Sequence, residues 1–139
     1  MEDHLKKIAY LEKIIALSPG NVYWKDIHGK YLGCNENCAK ILKLPNREAI
    51  IGKTDYDLMS QELADAVRKA DCDIMAKNEK TILEEVGFDI HGKPAIYLTE
   101  KVPLHDEQDR VCGILGISIN ITERKLSEKS CKKLIYHWK

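Results

Sequence analysis

The sequence predicts an α+β fold: a five-stranded antiparallel sheet with helices on one face and a flanking helix at each end. Three observations carry this. Apolar residues recur at helical spacing over 3–17, 36–44 and 60–78, and β-forming runs occupy 21–35 and 81–120. The strands within each run are separated by turn words too short for the crossovers a parallel sheet requires. The resulting order is helix, two strands, several helices, three strands, helix, and one sheet covered on one side accommodates it economically.

The first helix, over 3–17, aligns Ile8, Leu11 and Ile15 between Lys and Glu residues and ends at Ser18-Pro19-Gly20. It is too short to be stable alone, so it must pack on the domain or on a second copy of itself. Residues 21–35 read as a hairpin turning on Asp26 and Gly29. Asn35 stands where an N-cap is needed for a helix over 36–44 carrying Cys38, Ile41, Leu42 and Leu44, stopped by Pro45. An irregular stretch with small helices runs through Asp57. The 60–78 helix, started at Ser60, places Leu63, Val67, Ala70, Ile74 and Met75 on one side. Strands follow at 81–90, 94–104 and 111–120, joined by His91-Gly92-Lys93 and by HDEQDR. The word DIHGK occurs at 26–30 and again at 89–93, which is turn chemistry used twice rather than a duplicated unit. From Ile121 onward a charged run with sparse apolar residues (Leu126, Cys131, Leu134, Ile135, Trp138) reads as an exit helix. The expected division is a flanking helix at 1–18, a domain at 19–121 and an exit helix at 122–139.

Composition narrows the function classes. Lys plus Arg and Asp plus Glu are 22 each, so no overall field draws the protein to nucleic acid or to a membrane surface. No apolar run is long enough to span a bilayer, and no signal-peptide pattern follows Met1, which points to the cytoplasm. Five cysteines form no CxxC pair; they read as reduced thiols, and Cys34 and Cys38 lack the nearby His that would complete a zinc set. No nucleophile elbow, phosphate loop, His-Glu metal motif or kinase signature is present, so no catalytic residue is assigned.

Several words, in this order, carry a resemblance. They are Tyr-Trp-Lys-Asp at 23–26, the DxxG turn at Asp26–Gly29, Asn35 entering a helix, GKTDYDL at 52–58, Pro103-Leu104, and GILGISINITERK at 113–125. Together they resemble the PAS (PAS/PAC) sensor domains of bacterial signalling proteins over roughly residues 18–125. The resemblance implies a strand order of 2-1-5-4-3. It implies a sensory or dimerisation module with no catalysis of its own, one that binds a small molecule or partner. Such a module relays to an output domain in the same parent chain, with a histidine kinase the first expectation. A ligand-free protein–protein adaptor and the sensor part of a transcription regulator are the alternatives. The chain ends on a helix-like segment without a stop signal, which fits a piece of a longer protein. Asn120 stands where the family usually has Asp, so the exit formed by Asn120, Thr122 and Arg124 keeps hydrogen bonds but not the family's ion pair.

Alternation along the strands, combined with the family's pairing, sorts two faces. An apolar outer face holds Trp24, Phe88, Leu98, Leu115 and Ile117, to be covered by the Ile8, Leu11 and Ile15 stripe of this or a second chain; this predicts a homodimer. The mixed face, under the helices, carries Tyr23, Lys25, Glu85, Tyr97, Thr99, Lys101, Ile114 and Ser118, and with Cys38, Leu42 and Val67 it forms the candidate ligand pocket. Lys25 or Lys101 then either meets a small polar or anionic ligand, pairs internally with Glu85, or reaches to the rim. Flavin and haem are not expected. The only Asn-Cys word is Asn37-Cys38, outside the flavin position, and 60–78 contains no His to hold haem. No other cofactor or metal is assigned.

Overall fold

A computed structural model describes residues 2–127. The exit-helix positions Cys131, Leu134, Ile135 and Trp138 lie outside the described residues; 122–127 is helical. Helix α1 (Glu2–Ala16) leads into strands β1 (Asn21–Asp26) and β2 (Tyr31–Cys34). Then come α2 (Glu36–Ile41), a 3-10 turn (Arg47–Ile50), α3 (Asp55–Leu58) and α4 (Gln61–Lys77), and finally β3 (Thr81–Phe88), β4 (Pro94–His105) and β5 (Val111–Asn120). The five strands lie in the order β2-β1-β5-β4-β3, every pair antiparallel, as expected. Among the described residues no helix is long and apolar enough to cross a membrane.

One turn design closes all three hairpins. Asp26 Oδ1 accepts the backbone N–H groups of His28 and Lys30 at 2.9 and 3.0 Å, while Gly29 takes φ 87°. Asp89 does the same for His91 and Lys93, with Gly92 at φ 78°. Asp106 repeats it for Gln108 and Arg110, with Asp109 in the left-handed position at φ 61°. An Asp side chain that bonds its own backbone two and four residues on fixes the loop, and the fourth residue must tolerate positive φ. HDEQDR therefore hides the same turn as DIHGK, with Asp109 in place of Gly.

The helical lid is joined to the sheet through Asn35. This residue is fully buried, and its Oδ1 accepts from Cys38 N (3.0 Å) as the α2 cap and from Val22 N (3.1 Å), while Nδ2 donates to Gly20 O (2.8 Å). Helix α2 stops at Ile41, three residues before the expected end at Leu44. The cause is a left-handed Lys43 (φ 59°): Lys43 N donates to Lys40 O and Leu44 N to Ala39 O, the 5→2 and 6→1 bonds of a Schellman stop. Leu44 keeps its apolar role as the residue that packs back on the core after such a stop. Replacing Asn35 with Ala leaves three buried backbone groups unpartnered. The expected loss is about 2–4 kcal/mol, read as a lowered urea midpoint with unchanged slope.

Candidate functional site

Cross-strand register sets the floor of the site. On the helix-covered face, Tyr23 stands opposite Gly116, which stands opposite Lys101; Lys25 is opposite Ile114, Thr99 opposite Ser118, and Glu85 opposite Tyr97. A Cβ at Gly116 would lie 2.3 Å from the Tyr23 ring, so glycine there is what lets the ring lie across β5. From above, α3 contributes Asp55 and α4 contributes Asp71.

These residues form a continuous chain of alternating charges. Tyr31 Oη donates to Asp55 Oδ1 (2.6 Å), and Lys25 Nζ donates to Asp55 Oδ2 (2.9 Å) and Asp71 Oδ2 (2.7 Å). Lys101 Nζ donates to Asp71 Oδ1 (2.8 Å) and Glu85 Oε2 (3.2 Å). Lys25, Asp55, Asp71 and Lys101 are each at most 2% exposed. Charges so deeply buried are tolerable only when each is paired and hydrogen-bonded, and here they are. The Lys25 ammonium also sits 4.9 Å from the Tyr31 ring centre and 5.5 Å from that of Tyr23, a favourable cation–ring arrangement. The internal Lys–Glu85 pair foreseen from sequence exists for Lys101. The two aspartates were missed, and with them present neither lysine is left unpaired to receive an anion.

Above this floor, between α2–α4 and the sheet, lies a cavity of about 370 Å³. Of the expected pocket residues, Tyr23, Lys25, Cys38, Leu42, Val67, Glu85, Tyr97 and Ser118 line it. Thr99, Lys101 and Ile114 do not; they are at most 1% exposed and lie beneath it, Thr99 bonded to the Ser118 hydroxyl at 2.9 Å. Tyr31, Asp55, Met59 and Leu63 line it unforeseen. Asp71 carried a readable signal: it falls at 64, 67, 71, 74, inside the apolar stripe of α4, where a lone carboxylate must find a buried cation.

Burial and charge shift the proton affinities of this cluster. Burial, and then the Asp55 charge, push the Tyr31 hydroxyl well above its ordinary value, and burial does the same for Tyr23. Burial pulls Lys101 down, but the neighbouring Tyr23, Asp71 and Glu85 charges outweigh it and hold the ammonium above its ordinary value. The Cys34 and Cys38 thiols share a hydrogen bond that raises Cys38, further raised by burial, and lowers Cys34.

The other face is apolar and uncovered over much of its width. Ile117 (38%) is exposed there, while Trp24, Leu98 and Leu115 are half-buried; Phe88 (56% exposed), expected on this face, is instead among the residues lining the cavity, at the end of β3 with Leu42 and Met59. Trp24 packs against Gly33, where a Cβ would run into its ring. Of the expected covering stripe on α1, only Ile15 reaches the domain, sharing a hollow with Trp24 and Leu32; Ile8 and Leu11 stay exposed. At the exit, Asn120 Oδ1 accepts from Thr122 N (3.0 Å) and from Thr122 Oγ1 (2.6 Å), and Thr122 Oγ1 accepts from Ile96 N (3.0 Å). Arg124 follows in the helical stretch 122–127.

A sheet of this order with a helical lid over a central cavity is the architecture of PAS domains. Residues 16–126 match the family described as the PAS fold, and the chain belongs to that family. It is 28% identical over 129 residues to the methanogenesis regulatory histidine kinase FilI of Methanothrix harundinacea, an alignment covering 90% of this chain and 14% of that protein. Among solved structures, the VqmA dimer of Vibrio cholerae superposes with TM-score 0.74 at 18% identity, covering 86% of this chain and 52% of that one. The PAS domain of Bordetella pertussis BvgS superposes with TM-score 0.69 at 21% identity, covering 95% and 98%. The chain thus spans a small part of the signalling kinase it matches and nearly all of an isolated PAS domain.

Two outcomes follow from the charge chain. Asp71→Ala removes the carboxylate that Lys25 and Lys101 share, leaving each buried ammonium with a single partner, Asp55 or Glu85, and is expected to cost about 3–5 kcal/mol in denaturant unfolding, more than Glu85→Ala at the partly exposed end. Tyr23, Tyr31 and Lys101 all hold their protons more tightly folded than unfolded, so above pH about 10 the folded state binds more protons. Their contribution is complete below that pH and is withdrawn as pH rises. Guanidinium midpoints are expected to stay level from pH 8 to about pH 10 and to drop from there toward pH 12, and Tyr31→Phe to reduce the drop.

Proposed function

We propose that this chain is the sensory module of a cytoplasmic signalling protein, without catalysis of its own. It holds a small molecule in the cavity above the charge chain and passes the occupancy of that cavity to an output domain of the same parent chain. The observation that carries this is the cavity itself. An adaptor filled by its own side chains would have no use for about 370 Å³ of space over a fully paired polar floor.

The relay runs along β5. Ser118 lines the cavity and is bonded to Thr99, and Asn120 lies two residues further on the same face. Its bonds to Thr122, with Ile121 N donating to Ile96 O at 2.8 Å, tie the start of the exit helix to both β4 and β5. A shift of β5 against β4 therefore reorients 122–127. The likeness to FilI supports a histidine kinase as the output, and a transcription regulator is the second reading, since the VqmA structure is described in terms of DNA binding.

The module works as a homodimer. Leu5, Ile8, Leu11, Ile14 and Leu17 are all exposed on or just after α1, and Ile117 and Ile119 are exposed on the outer sheet face. Apolar surface of that extent is stabilised by burial against a second copy at about 25 cal/mol per Å². Native mass spectrometry of freshly purified protein checks both parts. A dimer carrying a small-molecule adduct is expected; an empty dimer supports the adaptor, and a monomer removes the α1 interface.

A further inference from the structure

We propose that the cavity selects a small monocation, a primary ammonium group on an apolar body, with Glu85 as its counter-ion. This rests on the sensory reading above and specifies the ligand class of that cavity. The chain of charges contains three carboxylates, Asp55, Asp71 and Glu85, against two ammonium groups, Lys25 and Lys101, and so carries one uncompensated negative charge.

The hydrogen bonds locate that charge. Both oxygens of Asp71 are taken, one by each lysine, and both of Asp55 are taken, by Tyr31 and Lys25. Glu85 uses Oε2 for Lys101, and its Oε1 has no partner among the described residues. Glu85 is also the one member of the chain with appreciable side-chain exposure, 22%, against at most 3% for the other four, and it lines the cavity. The sequence of signs along the chain is minus, plus, minus, plus, minus, ending at Glu85. A cation in the cavity continues the alternation and neutralises the cluster.

The remaining lining fits an apolar body behind such a head group. Leu42, Leu63, Val67 and Leu83 form the walls, and the volume is at the small end of ligand pockets. An anion would have to be desolvated beside the free oxygen of the Glu85 carboxylate with both lysines already engaged, which is the costly arrangement. Neutral donors of the same shape gain a hydrogen bond but not the charge-assisted one.

The test uses three probes of similar shape on the full chain, followed by calorimetry: phenethylamine (cationic at pH 7), 2-phenylethanol (neutral) and 3-phenylpropionate (anionic). The amine is expected to bind about tenfold or more tighter than the alcohol, and the carboxylate not at all. Glu85→Gln, which still offers Lys101 an acceptor, is expected to erase the preference for the amine while leaving the alcohol unchanged. Equal or tighter binding of the alcohol or the carboxylate to the wild type, or an amine preference that survives Glu85→Gln, overturns the cation class and leaves the sensory cavity standing. Failure of all three to bind also overturns it. Whether the cavity reading falls as well is then decided by the mass-spectrometric search for a bound molecule, which does not depend on ligand charge.

Discussion

The Asp71 carboxylate, held between Lys25 and Lys101, is the interaction on which the rest of the structure depends. It comes from the middle of α4 and reaches two strands that are separated by β5. The helical lid makes few other polar contacts with the centre of the sheet, so this bridge fixes where α4 lies. Asp55 adds a second tie from α3 to Lys25. Buried ion pairs are poor sources of net stability, because desolvation offsets most of the attraction. Their effect here is positional. An apolar lid can slide by a residue on an apolar sheet, whereas a lid whose one central carboxylate must touch two ammonium groups has a single register. Holding the lid in that way leaves room between it and the sheet without letting it collapse.

Much of this was legible in the sequence, and the parts that were not have identifiable causes. Strand order, hairpins and the division into faces followed from turn words and period-2 alternation together with the family resemblance, since a strand that carries Trp24 and Lys25 side by side must send them to opposite sides. The end of α2 was misplaced because Leu44 continues the apolar spacing after the helix has stopped, the stop being made by a lysine in a conformation usually given to glycine. The DEQDR turn was read only as a polar loop for the same reason, Asp109 standing where Gly29 and Gly92 announce the other two. The partners of the lysines were missed because they come from separate helices. Strand alternation says which way Lys25 points and nothing about what waits above it. Asp71 was the exception, visible as a carboxylate inside an apolar stripe.

The same alternation couples the two faces. In β1, Tyr23 and Lys25 face the cavity while Trp24 faces outward over Gly33; in β5, Ser118 faces the cavity while Ile117 and Ile119 face outward. No layer of side chains intervenes, so the strands that form the floor of the cavity are also the outer surface. Two glycines make room for the rings on either face, Gly116 beneath the Tyr23 ring and Gly33 beneath Trp24. Close-packed contacts of this kind transmit displacement rather than absorb it. The position of the Tyr23 ring across β5 and the shape of the outer surface are therefore set by the same strands.

The start of the exit helix is tied to β4 and β5 together rather than to either alone. Thr122 is held at once by Asn120 of β5 and by the backbone of Ile96 in β4, and these two anchors lie on neighbouring strands. With Asn120 in the family's Asp position, the anchor on β5 is an uncharged oxygen accepting two hydrogen bonds from one residue. Such a joint is set by distance and angle and is little affected by ionic strength, unlike an ion pair at an exposed position. Thr99 of β4 and Ser118 of β5 bond to each other one step closer to the cavity. From cavity to exit, hydroxyl and amide contacts therefore run across a single strand pair, with Lys101 of β4 at the cavity end tied to Glu85 of the neighbouring β3.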